Sequence, residues 1–480
     1  MRRSQSQRPV LSSGARRRAA ACIAVGLALP LGGCFLWAEN PPAAIDIPPA
    51  YREGPRKSDA ALPSRLWWRG FRSKELTDLI EEALTSNLDI AAAVARIVQA
   101  DAQARIAGAT LLPAIDFSGE ARRSQPAGGI PRNTITAMLS ASYEIDFWGK
   151  NRALLRAADE TAVASRFDRE VVALATVAVL ANIYFEVLSS YDRLRVARNN
   201  LAAATRVFNL IKQRFDVGTA SQLDVAQQES VVNAQRAVIP LLTQTLRQDV
   251  VTLAVLIGRP PEWVTIRGGS MSQIAIPPVT PGIPSDLLGQ RPDIREAEAQ
   301  LAAANANVEA ARAAFFPTIS LTADGGYQSN ALRTLLRPES AFFNLAANLA
   351  QPIFDGGRLL GQFDLQKGRQ DELLQLYRKA VINGFADVDR ALIAVQQTAA
   401  RERLQSEVVN SSRRAFEIAE TRLREGTVDL VTVLNTQLTL FIAEDNRIQA
   451  RLARLQAVVA LFQALGGGWP KPKKDDHLEP

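Results

Sequence analysis

Apolar and polar positions change period along this chain in a repeating order. From Lys74, Leu76, Leu79, Ile80, Ala83, Leu84, Leu88 and Ala91 recur at three- and four-residue steps, the spacing of a helix with one covered face. The spacing predicts one helix continuing through alanines to about Leu112, where Pro113 follows. The period then falls to two. Ile115, Phe117, Gly119 and Ala121 alternate with Asp116, Ser118, Glu120 and Arg122. After a Pro/Gly-rich reversal, Ile135, Ala137, Leu139, Ala141, Tyr143, Ile145 and Phe147 alternate with Thr136, Met138, Ser140, Ser142, Glu144 and Asp146. This predicts a hairpin whose strands reach the roughly 9–11 residues that cross a bilayer at a tilt. From Asn151 to about Asp216 there is neither Pro nor Gly. One helix of about 65 residues, roughly 95–100 Å at ~1.5 Å per residue, is expected there.

A helix that long needs a packed seam. Leu194, Leu201, Phe208 and Phe215 stand seven apart, and Val409, Phe416 and Leu423 hold the matching places later in the chain. Both sets are expected to face inward. The many other inward alanines suit close packing in a wall of several helices better than a two-stranded rod.

The second half repeats the first. A shift of 204 lays Asn87-Leu88-Asp89-Ile90 on Arg291-Pro292-Asp293-Ile294, and Leu112-Pro113 on Phe316-Pro317. A shift of 208 lays Gly218-Thr219 on Gly426-Thr427, and Ile257-Gly258 on Leu465-Gly466. A second period-two hairpin follows: Ile319, Leu321, Ala323, Gly325 and Tyr327, then Phe343, Leu345, Ala347 and Leu349, alternate with polar or small residues. So long a repeat means a duplicated structural unit. The expected organisation is a signal segment at 1–33 and an extended segment at 34–66. A first repeat covers 67–258, with strands at about 114–147 and a tip turn at 216–221. A linker at 259–288 leads to a second repeat at 289–466, with strands at about 318–353 and a tip turn at 424–429, and a tail at 467–480. Pro240 predicts a kink in the first return helix, and the linker and tail are expected to form a collar outside the helices.

Charge enters as a correction. The net charge is +7, but Arg2, Arg3, Arg8, Arg16, Arg17 and Arg18 precede the first acid, Glu39. Without residues 1–33 the formal charge is +1, so no nucleic-acid partner is implied. Those arginines form the basic region of an export signal, followed by an apolar stretch from Ala19 to Leu31, too short for a stable span. It ends in Leu31-Gly32-Gly33-Cys34, which resembles the lipobox of bacterial lipoproteins. That resemblance implies a diacylglycerol and an N-acyl chain on Cys34; an ordinary signal with a chance cysteine is the alternative. The other cysteine, Cys22, falls inside the signal. No other cofactor is expected. His477 is the only histidine, and no metal-ligand cluster, phosphate loop or nucleophile–base pair is legible, so no enzyme is expected.

The hairpins could form a soluble sheet with one wet face. Against that, the polar face is strongly polar, Phe117, Tyr143, Phe147, Trp148, Tyr327, Phe342 and Phe343 collect mostly near strand ends, as in an interfacial girdle, and no further strand lies nearby to cover the edges. Four strands cannot close a membrane barrel, since the smallest have about eight. Two copies would give a filled core, and three give twelve strands around a lumen. The fold class expected is therefore mainly α with a small membrane β part, a duplicated unit forming a trimeric twelve-stranded outer-membrane barrel continued by a periplasmic helical barrel.

Trp67-Trp68, Phe71, Asn87-Leu88-Asp89-Ile90, Arg291-Pro292-Asp293-Ile294 with Ala297-Glu298, Phe316-Pro317 and Phe354-Asp355-Gly356-Gly357-Arg358 resemble the TolC/OprM outer-membrane efflux family. Within it the chain is most similar to NodT-type lipoproteins of resistance-nodulation-division (RND) systems, over about Leu31 to Trp469. The resemblance implies a homotrimeric exit duct in outer-membrane lipid that docks a periplasmic adaptor and, through it, an inner-membrane RND pump, and exports small molecules such as drugs. A type I secretion duct and a non-spanning, lipid-anchored periplasmic coiled-coil scaffold are the alternatives.

Both tips keep an Arg, a Gly-Thr pair, a polar cap and an apolar residue: Arg214, Gly218, Thr219, Ser221 and Leu223; Arg422, Gly426, Thr427, Asp429 and Val431. They are the expected adaptor-docking surface; two well-capped turns with no further role are the alternative. The resemblance also implies an acidic periplasmic gate just after the second Gly-Thr turn. The matching positions, Thr432 and Asn435, are neutral, and Asp224, Glu425 and Asp429 are the acids left nearby.

Overall fold

A computed structural model describes residues 46–48, 51–52, 66–279, 282 and 284–468. Cys34, the expected signal and the tail beyond 468 lie outside the described residues. The chain separates into two compact units. Among the described residues, one contains 102–160 and 301–374, and the other those of 46–101, 161–300 and 375–468.

The first unit is built on a four-stranded antiparallel sheet in the order β1 (Ala114–Ser124), β2 (Arg132–Ile145), β3 (Thr318–Ser329), β4 (Ala341–Ala350). The register runs from Ala114 opposite Ser142, through Ile145 opposite Ile319, to Thr318 opposite Ala350. Alternation therefore keeps Ile115, Leu139, Ala323 and Leu345 on one face, and Ser118, Met138, Gly326 and Phe342 on the other. Gly326 has a steric reason: a Cβ there would meet the Ala137 carbonyl and the Met138 backbone well inside contact distance. β1 and β4 are edges, and their apolar residues, such as Phe117 and Phe343, stand exposed. At one end Trp148 stacks on Phe316 with centroids 4.7 Å apart and donates to the Pro317 carbonyl at 2.8 Å, which ties the two hairpins together. Tyr143 lies close to the end of β2, whereas Phe117 lies within β1, opposite Leu139.

The second unit is helical. Helices α1 (Lys74–Ser86) and α2 (Leu88–Ala109) precede the sheet; α3 (Lys150–Asp216) and the return helix α4 (Gln222–Leu256) follow the first hairpin. The second repeat supplies α5 (Pro284–Gln290), α6 (Pro292–Ala313), α7 (Arg358–Arg424) and α8 (Leu430–Ala464). Its main core joins Trp67, Phe71, Leu76 and Ile80 to Leu180, Phe185 and Leu188 of α3, Leu253 of α4 and Leu455, Val459 and Phe462 of α8. One window of α3 reaches a mean hydropathy of 2.1. Because Leu180, Ala181, Phe185 and Leu188 are buried, that stretch is core rather than a membrane span.

The structure refines four expectations. The helix begun at Lys74 does not continue to Leu112. Asn87 takes an extended conformation, ψ 131°, and its Oδ1 accepts the Asp89 and Ile90 amides at 2.9 and 3.0 Å, so a new helix starts there. Its end at Ala109 tightens into three-residue turns. Second, α4 runs unbroken through the exposed Pro240, so the kink expected there does not divide the helix. Third, the linker is not merely an outer collar. Val264, Ile266, Met271 and Ile274 join the main core, and buried Asp192 accepts the Met271 amide and the Ser270 hydroxyl at 3.0 and 3.1 Å. Fourth, the seam of α3 is offset: Ala197, Ala204, Val207 and Ile211 are buried with Leu194, whereas Leu201 and Phe208 are half-buried and Phe215 is exposed. In α7, Val409, Phe416 and Leu423 are all buried.

Candidate docking tips

Each long helix ends in the same device. Gly218 has φ +79° and Gly426 has φ +76°, values a side chain resists. The Gly218 amide donates to the Phe215 carbonyl at 2.9 Å and the Thr219 amide to the Arg214 carbonyl at 2.8 Å; Gly426 to Leu423 and Thr427 to Arg422 repeat this at 3.0 and 2.9 Å. This pair of bonds is a Schellman closure. The hydroxyls of Thr219 and Thr427 add a second bond to the same arginine carbonyls, at 3.0 and 3.2 Å.

The return helices start with different caps. Ser221 Oγ accepts the Asp224 amide at 3.2 Å, while the Asp224 carboxylate accepts the Ser221 amide at 2.8 Å, a reciprocal capping box. In the second tip Asp429 accepts the Thr432 amide at 2.8 Å. Hydrogen bonds from the Thr432 side chain and backbone hold its carboxyl below the usual carboxylate range. Two of the three acids considered for a gate, Asp224 and Asp429, are thus engaged in capping. Glu425 stands on the exposed turn, and Thr432 and Asn435 are exposed and neutral.

The tips are joined within the chain. Arg214 Nη1 donates to the Leu423 carbonyl at 3.0 Å. Below them Val207 and Ile211 of α3, Phe416 and Leu423 of α7 and Leu430, Val433 and Phe441 of α8 form one apolar cluster. Its buried anchorage makes the turns a firm platform. Leu223 and Val431 are exposed beside the turns, and so is Val217, at 74 %. The sequence pattern did not single out Val217, although an apolar residue directly before a turn glycine was the available signal. Among the described residues no cluster of three His, Cys, Asp or Glu side chains could hold a metal. The tips offer capped backbone, hydroxyls and apolar contact area, which suits docking rather than bond chemistry.

A second feature was legible only as a motif. Asn87 donates from Nδ2 to the Leu256 carbonyl at 2.8 Å. Its counterpart Arg291 donates to the Ala464 carbonyl at 3.1 Å and pairs with Asp293 and Asp387. In both repeats this position therefore clamps the end of the return helix.

The sequence profile described as "Outer membrane efflux protein" matches residues 79–259 and again 283–467. The pyoverdine export outer membrane protein OpmQ of Pseudomonas aeruginosa is 41% identical over 430 residues, covering 87% of this chain and 90% of that protein. The toluene efflux pump outer membrane protein TtgF of Pseudomonas putida is 34% identical, covering 93% and 96%. Among solved structures, the outer-membrane channel OprN superposes with a TM-score of 0.84 at 25% identity, over 90% of this chain and 99% of that one. The open state of the Neisseria gonorrhoeae MtrE channel gives 0.82 at 28% identity, over 90% and 97%.

Proposed function

Because the chain belongs to the outer membrane efflux protein family, we propose that it is the exit duct of a tripartite RND efflux system, anchored through a lipid on Cys34 and closed as a homotrimer. It resides in the outer membrane and carries small molecules outward, performing transport and not catalysis. One relative is named for pyoverdine export and another for toluene efflux, which favours efflux of small molecules over type I secretion of proteins and argues against a non-spanning scaffold.

The observation that carries this reading is the four-stranded sheet with both edges open. In lipid each unpaired backbone group costs several kcal/mol, and four strands are too few to close. Three copies supply twelve, enough for a lumen lined by the polar positions of each strand. The capped tips dock a periplasmic adaptor, which links the duct to an inner-membrane RND pump.

The test uses a strain that keeps an adaptor and pump but lacks its own duct. Wild-type protein should lower accumulation of a fluorescent pump substrate. A Thr219→Glu/Thr427→Glu variant should still reach the outer membrane as a heat-resistant trimer but lose adaptor crosslinking and export. Full export by that variant, with the trimer intact, would remove the tips from docking. Cys34→Ser should end incorporation of labelled palmitate, and unchanged labelling would exclude Cys34 as the acceptor.

A further inference from the structure

We infer the register of the seam between copies: β4 of one chain pairs antiparallel with β1 of the next, with Ala347 opposite Ala121 of the next copy. This rests on the closed trimer proposed above and supplies what that reading leaves open, namely which residues meet.

The register follows from the duplication. Adding 204 to β1 positions and 208 to β2 positions converts the observed pair Ala114–Ser142 into Thr318–Ala350, which is also an observed pair. The two hairpins are therefore equivalent in register along their length. The β2–β3 junction joins the first repeat to the second. Around a closed ring its equivalent joins the second repeat of one chain to the first repeat of another. Applying the same two shifts to β2–β3 gives that junction. Leu139–Gly325 becomes Ala347–Ala121, Ala141–Ala323 becomes Leu349–Gly119, and Ile145–Ile319 becomes Ile353–Ile115.

Both shifts are even, so the derived pairing keeps the faces of the observed one. Ala121, Gly119 and Ile115 lie on the same face of β1 as the apolar positions, and Ala347, Leu349 and Ile353 continue the apolar positions of β4. On the alternate face Asn348 meets Glu120, and the small Ala350 meets Ser118. A slip of one residue would turn one strand inside out relative to its neighbour. A slip of two would keep the faces but displace each contact by about 7 Å. The pairing also extends beyond the present end of β4 at Ala350. Ile353 is 90 % exposed in the single chain, and in this pairing Ile115 of the next copy covers its side chain; Pro352 beside it has no amide to add to the ladder.

The test is disulfide formation in the outer membrane on heat-modifiable, inserted protein. Ala121→Cys/Ala347→Cys is compared with Ala121→Cys/Leu345→Cys and Ala121→Cys/Leu349→Cys, with the single-cysteine variants as controls. Directly opposite Cβ atoms lie about 4.5–5.5 Å apart and diagonal ones about 7–8 Å, so the first pair should link about tenfold faster. It should give covalent dimers and trimers on a non-reducing gel. Fastest linkage in either of the other pairs would overturn the register while leaving closure by a second copy intact. No linkage in any pair, in protein whose mass is that of a trimer, would overturn the β4–β1 seam. A monomeric mass would instead overturn the proposed trimer itself.

Discussion

The two long helices carry corresponding residues in unlike surroundings. Leu201, Phe208 and Phe215 of α3 correspond to Val409, Phe416 and Leu423 of α7 through the shift of 208. Within the chain, Val409, Phe416 and Leu423 are 2–4 % exposed, while Phe215 is 40 % exposed. Phe416 and Leu423 sit in the cluster that receives Val207 and Ile211 from α3, so the first repeat completes the seam of the second. Among the described residues nothing equivalent completes the seam of the first. The arginines repeat the contrast: Arg214 reaches the Leu423 carbonyl, and among the described residues Arg422 makes no corresponding bond to the first tip. A duplicated chain with one repeat satisfied and the other waiting is what a ring of copies requires, each first repeat being covered by a second repeat from its neighbour.

The sharpest way to break that comparison is to truncate corresponding aromatics. Phe416→Ala should destabilise the chain whether assembled or not, by about 3–5 kcal/mol. Phe208→Ala, at a half-buried position, should cost the dissociated chain much less and weaken chiefly the assembled protein. Thermal unfolding before and after mild dissociation reads both, and equal losses in the dissociated chain would erase the distinction between the repeats.

In the sheet, assembly should abolish the difference between edge and interior. Phe117 on edge strand β1 corresponds to Leu321 on central strand β3. Arg at either position should cost up to ~2–4 kcal/mol in the barrel, measured by refolding into lipid, while Ser140→Arg on the opposite face should be tolerated. A mild Phe117→Arg beside a severe Leu321→Arg would indicate a sheet that stays open.

The clamps differ more modestly. Arg291→Met leaves the Ala464 carbonyl and two carboxylates without their donor and should cost about 1–3 kcal/mol. Asn87→Ala removes a cap and one bond to Leu256, and should cost about 1 kcal/mol. Denaturant midpoints decide the order; the reverse order would mean that solvent replaces the Arg291 bonds.

The smallest effect is titratable. Burial, then the charges of Asp168 and Asp293, push the Glu296 carboxyl up to about 6 from an ordinary 4.5; its counterpart in the first repeat is Ala92. A raised carboxyl pKa penalises the ionised fold. The penalty is absent below about pH 4.5, grows towards pH 6 and is complete above it. Partial solvent access reduces it, so Glu296→Gln should gain on the order of 1 kcal/mol at pH 7.5 and nothing at pH 4. The same gain at both pH values would mean that charge is not the cause.

Much of the fold was legible because period is a strong signal: the hairpins, the long helices and the glycine turns stand where alternation, absence of breakers and Gly-Thr put them. What was missed has physical reasons. The α3 seam runs through Ala197 and Ala204, and alanine looks the same in a tight seam as on a surface. The larger residues misled because within the chain Leu201 and Phe208 are only half-buried and Phe215 is exposed. The break at Asn87 could have been read from its counterpart, where Pro292 marks a first helical position. The caps Ser221 and Asp429 were legible from their places after the turns, but the engagement of Asp224 in the capping box was not, because it depends on a side chain folding back onto the Ser221 amide. The clamp by Arg291 depends on Ala464, far away in sequence, and no local pattern encodes it.

Native mass spectrometry of protein extracted from outer membranes with its surrounding lipid tests the central claim most directly. The account predicts a single dominant species of three copies, with the acyl mass on each. A stable single copy, or a ring of any other number, would contradict it.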